Sequence, residues 1–73
     1  MKVYFFEELM EKSVDQLLDL LSDYIDLRND ACVLMKLEPD MREYYIENIL
    51  YFYLLNIAKI KSTLTHKIEE VKS

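Results

Sequence analysis

No glycine occurs in the 73 residues, and the one proline is Pro39. Tight turns and hairpins draw on glycine for positive φ and on proline for preset bends, so a chain lacking both over long stretches is left with helices joined by short breaks. The expected class is all-α. Just over half of the chain is hydrophobic, 52%. A chain this short buries only about 60% of the surface its unfolded form exposes, so it completes its core with a partner or stays marginal. Association with itself or with another protein is the starting expectation.

Phe6, Met10, Val14, Leu17, Leu21 and Tyr24 recur at steps of three and four, which keeps one helical stripe facing inward. Leu9, Leu18, Leu20, Ile25 and Leu27 widen that stripe beyond a coiled-coil seam, so the helix is expected to meet more than one neighbour. Ser13 and Gln16 have the spacing of a capping box and predict a kink or restart near Lys12-Ser13. Arg28-Asn29-Asp30 is the weakest stretch of the pattern, but Ala31 to Leu37 resumes with good helix formers, so the helix either continues there or bends, which would turn two helices into three.

Glu38-Pro39-Asp40 is the clear break, because proline lacks the amide a helix interior needs and disfavours helical geometry at the residue before it. The same proline can open a second helix, and Asp40 with Glu43 offers a further capping box. Ile46, Leu50, Tyr53, Ile57, Ile60, Leu64, Ile68 and Val71 then continue the spacing nearly to the end, predicting a rod of about 33 residues and about 50 Å. From Ile49 to Leu55 every residue is apolar or tyrosine, so this part of the rod needs cover on all sides. One partner helix cannot supply it.

Charge favours an antiparallel hairpin. Residues 1–40 carry four basic and ten acidic side chains, and residues 41–73 carry five basic and four acidic. Folding back places Lys59, Lys61 and Lys67 beside the segment holding Glu7, Glu8, Glu11 and Asp15. Exposed pairs are worth about 0–1 kcal/mol each, so they select orientation more than they hold the fold. Without repeats or a linker, residues 1–73 read as a single helical domain.

The net charge of −5 argues against broad binding to nucleic acid or to anionic lipid. Tyr44 to Ile60 is interrupted by Glu47, Asn48, Asn56 and Lys59 and falls short of a membrane span. The Glu7-Glu8 pair argues against a signal peptide, and a lone cysteine suits a reducing compartment, so the expected location is the cytoplasm.

Asp15, Asp19, Asp23, Asp26 and Asp30 line one side of the first helix. A straight row diverges, whereas hard cations want convergent oxygens, so a solvated face is preferred to a metal site. The functional alternative is a small acidic inhibitor whose row mimics a phosphate backbone and occupies a nucleic-acid-binding protein. His66 has Thr63 three residues before it and so lacks the Glu-x-x-His pairing of a di-iron bundle. Cys32 has no basic cluster to activate it, and Ser13, Ser22 and Ser62 carry no nucleophile signature. Neither an enzyme nor a cofactor is expected. Tyr44, Tyr45, Tyr51, Phe52 and Tyr53 could stack on bases, but aromatics at core spacing in an acidic chain read better as core and protein interface.

Two segments, Val3-Tyr4-Phe5-Phe6-Glu7-Glu8-Leu9 and Ile49-Leu50-Tyr51-Phe52-Tyr53-Leu54-Leu55-Asn56-Ile57-Ala58-Lys59-Ile60, resemble the helical domain of GINS-family replication subunits. The resemblance spans residues 3–62 and implies a noncatalytic role, packing against sister subunits to scaffold the replicative helicase. Two departures stand against it: Asn56 occupies a position where the family often has a basic residue, and the small β domain that accompanies the helices in that family is absent.

The resulting expectation is an antiparallel helical hairpin that assembles into a helical bundle, as a homo- or hetero-oligomer, and serves as a binding or scaffolding module. Tyr45, Ile49, Phe52 and Tyr53 on the second helix, with Phe5 and Phe6 at the other end, are the expected anchors, because buried aromatic side chains carry most interface energy.

Overall fold

The computed structural model describes residues 2–72. Lys2 to Phe5 are not helical, and the helix α1 follows over Phe6–Met10. After the break at Glu11 to Ser13, helix α2 runs over Val14–Leu37. A 3-10 turn over Pro39–Met41 leads into α3, Arg42–Tyr45. A π-helical turn over Ile46–Leu50 joins this to α4, Tyr51–Lys72. Among the described residues there is no strand, and the fold is all-α. The two long arms, α2 and α4, pack along each other, and α1 lies against α4.

The restart at Ser13 has the expected cause. The Gln16 N–H donates to the Ser13 hydroxyl at 3.1 Å, and the Ser13 N–H donates to the Gln16 side-chain oxygen at 2.9 Å. Two of the orphan donors at the helix start are thereby satisfied. Of the two alternatives at Asn29 the helix takes the continuing one, passing through Arg28, Asn29 and Asp30 unbroken. Asn29 and Asp30 are exposed, and the Asn29 side-chain oxygen accepts from the Arg28 guanidinium at 3.3 Å. Asn29 thus has a side-chain partner that does not compete with the helical backbone.

At the turn, Pro39 opens the second arm as expected, but the Asp40–Glu43 capping box does not form. The turn is tied by Tyr45, whose hydroxyl donates to the Glu38 carboxylate at 2.6 Å. Nor is the second arm a uniform α-helix. In the π turn the Tyr51 N–H donates to the Ile46 carbonyl, five residues back. Such a turn takes in one extra residue and shifts the faces on either side of it out of register. The Asn48 side-chain amide donates to the Tyr44 carbonyl at 3.0 Å beside this irregularity.

The molecule is a rod of 49 × 17 × 15 Å with a radius of gyration of 14.2 Å, where a compact domain of this length has about 11 Å. Its surface of 5290 Å² likewise exceeds the roughly 4,800 Å² of a compact monomer of the same mass. Burial is uneven along the rod. Leu9, Leu17, Ile60 and Leu64 form the core, with Tyr4, Leu20, Leu21 and Tyr24 packed around it. All of these lie where α1 and the N-terminal segment add a third layer to the two arms. Between Leu17 and Asn56 the only buried residue is Ala31. The half nearer the turn is two helices and nothing else.

Candidate protein interface

The third layer is held by α4. The Asn56 side chain, fully buried, accepts the Tyr4 N–H at 3.0 Å and donates to the Lys2 carbonyl at 2.9 Å. The Lys59 ammonium donates to the Tyr4 carbonyl at 3.1 Å. An extended segment outside a sheet has no ladder to satisfy its backbone, and this pair of side chains supplies one. Thr63, also fully buried, returns its hydroxyl proton to the Lys59 carbonyl at 2.8 Å. The lysine–carboxylate pairs expected between α4 and Glu7, Glu8, Glu11 or Asp15 do not form among the described residues. Lys59 is instead engaged with backbone, and Glu8 pairs with Lys2 at 3.4 Å.

Three phenols extend this contact into the hairpin. Tyr24 stands edge-on to Tyr4 and to Tyr53, each with centroids 6.0 Å apart. The Tyr24 phenol is pushed up to about 12, first by burial and then by the Tyr4 and Tyr53 phenols beside it. At the turn, the Tyr45 phenol is also held above its ordinary value, chiefly because it donates to the Glu38 carboxylate.

The six expected anchors lie in two places, Tyr45, Ile49, Phe52 and Tyr53 on the second arm and Phe5 and Phe6 on the N-terminal side. Phe5 and Phe6 are exposed at the open end of the hairpin, where Phe6 meets the His66 ring at 5.9 Å. Tyr45 sits at the turn, about 30 Å away along the helix axis by its sequence distance from His66. Tyr45, Ile49, Phe52 and Tyr53 are all half-buried, and Tyr53 packs within the chain against Tyr24.

The open apolar surface lies one helix face further round. Ile46, Glu47, Leu50, Tyr51 and Leu54 line a groove of about 340 Å³ on the second arm, with almost wholly apolar walls. Tyr51 is 56% exposed and Leu54 45%. Sequence reading located the apolar girdle but not which of its faces stays open, because the π turn offsets the simple 3.6-residue count. Asn56 was legible only as a polar interruption. The available signal was a short amide among core-spaced apolar residues, which must find partners if buried.

On α2, Asp15, Asp19, Asp23, Asp26 and Asp30 are all exposed. Among the described residues no three His, Cys, Asp or Glu side chains converge as ion ligands. His66 is half-exposed and lies 3.2 Å from the Glu70 carboxylate. Cys32 is a free, half-buried thiol. Among the described residues no helix is long and apolar enough to cross a membrane.

Compared with protein-family models, with curated proteins and with solved structures, the chain has no match.

Proposed function

We propose that this chain is a non-enzymatic protein-interaction module of the cytoplasm whose contact surface is the outer face of the second arm. The observation that carries this reading is the groove of Ile46, Leu50, Tyr51 and Leu54 on the half of the rod that no third layer covers. Contiguous exposed apolar surface rimmed by polar residues is the usual mark of a docking site, and tyrosine suits it by joining apolar area to a polar tip. A role as a GINS-like component of a replication complex is the finer form of this proposal. Its support is that the two resembling segments pack on each other through Tyr4 and Asn56.

A second reading uses the five exposed aspartates of α2 as a phosphate-like row that occupies a nucleic-acid-binding protein. Affinity capture from native lysate separates the two. A Tyr51→Ser/Leu54→Ser variant with unchanged far-UV circular dichroism is expected to lose the captured proteins, and an Asp19→Lys/Asp23→Lys/Asp26→Lys variant to keep them. The reverse pattern would favour the acidic reading, and recovery of replication proteins would favour the finer form.

A further inference from the structure

The outer face of the second arm carries a charge pattern that is complementary to itself. Leu54 and Lys61 are seven residues apart within α4, a spacing that returns nearly to the same side of a helix, and Glu47 reaches that side from within the π turn. Glu47 and Leu54 line the same groove, and Glu47 and Lys61 are both exposed. Neither charge has an ion-pair partner within the chain among the described residues. Tyr51, large and exposed, precedes Leu54 by three residues, and Ala58, small and exposed, follows it by four.

We propose that this face pairs with the same face of a second copy, antiparallel, about a two-fold axis at Leu54. It rests on the reading of the face as an interface and names the occupant. Antiparallel pairing centred on Leu54 sets Glu47 of each chain opposite Lys61 of the other, twice by symmetry. Each Tyr51 ring then falls beside the small Ala58 of its mate. Parallel pairing would set Glu47 on Glu47 and Lys61 on Lys61, and like charges directly opposed are unfavourable.

The aspartate row opposes pairing through α2 for the same reason, since five like charges would face five. In the antiparallel pair the rows stay exposed, because α2 turns Leu17, Tyr24 and Ala31 inward and the aspartates away from them. Two hairpins joined in this way make a four-helix bundle, which supplies the missing layer for the half of the rod that lacks one.

Analytical ultracentrifugation of the purified chain at low salt tests the pairing. The native chain should dimerise, and Glu47→Lys or Lys61→Glu alone should weaken the dimer about tenfold, since each places two like-charge contacts in the interface. The double variant Glu47→Lys/Lys61→Glu should recover it, and an equimolar mixture of the two single variants should form the mixed dimer in preference to either self-dimer. Recovery by the double variant also shows that the single changes had not unfolded the chain. A dimer indifferent to all of these changes overturns the register. A native chain monomeric to about 1 mM, corresponding to a binding free energy weaker than about −4 kcal/mol, overturns self-pairing. If Tyr51→Ser/Leu54→Ser still abolishes capture of other proteins in that case, the interface reading stands without the second copy.

Discussion

The Asn56 amide meets the backbone around Tyr4 as a neighbouring strand would, accepting the Tyr4 N–H at 3.0 Å and donating to the Lys2 carbonyl at 2.9 Å. With Lys59, this buried side chain ties the N-terminal segment to the half of the hairpin that gains a third layer.

Asn56→Ala should uncouple that segment. It leaves a backbone donor and an acceptor without partners, at a cost of about 1–3 kcal/mol for each group that stays buried. The urea midpoint should fall, and hydrogen exchange at the Tyr4 amide should rise towards the unprotected rate. An unchanged midpoint with Tyr4 still protected would show that the clamp contributes little.

Ser13→Ala should destabilise the start of α2 by about 1 kcal/mol, the usual worth of a helix cap. The Gln16 amide loses its acceptor, so exchange should accelerate first around Val14 to Leu17. Because Ser13 and Gln16 act reciprocally, adding Gln16→Ala should cost less than the sum of the single changes. Strict additivity, checked by urea unfolding of all three variants, would contradict the reciprocal cap.

Leu17→Ala, at a fully buried position, should cost about 2–5 kcal/mol through lost transfer energy and the cavity left behind. Leu37, by contrast, is 72% exposed, and Leu37→Ser should fall within about 0.5 kcal/mol of the native chain. Similar midpoints for the two variants would contradict a core confined to the open end of the hairpin.

Alkaline pH should loosen the hairpin through Tyr24. Its phenol rises from the ordinary 10.0 to about 12 in the folded chain, so the folded state holds the proton more tightly. The stability gained is therefore fully present below pH 10 and is lost as pH rises towards 12. Thermal melts across that window should fall more steeply for the native chain than for Tyr24→Phe, which keeps the ring and removes the titration. Parallel curves would contradict the shift.

Much of the architecture was legible because helices are local. The Ser13–Gln16 restart, the break at Pro39 and the inward stripe through Leu17 and Ile60 all follow from residues within one or two turns of each other. The choice between a continuing and a bent helix at Asn29 was left open on the same scale, and the helix continues, since a polar side chain in water takes little from a helix held by packing on either side. The apolar girdle of the second arm was legible as a region, but not which of its faces stays exposed.

The sequence by itself determined that the chain is helical, that it turns back at Pro39 and that the second arm carries more apolar surface than one neighbour can cover. Those properties depend on backbone preference and periodicity, which each segment carries alone. Tertiary structure decided which half of that surface is covered. The choice depends on Lys2, Tyr4, Asn56 and Lys59 meeting across more than fifty residues, and on a π turn that offsets the faces on either side of it. Long-range hydrogen bonds and helical phase belong to the assembled chain, so no local window contains them.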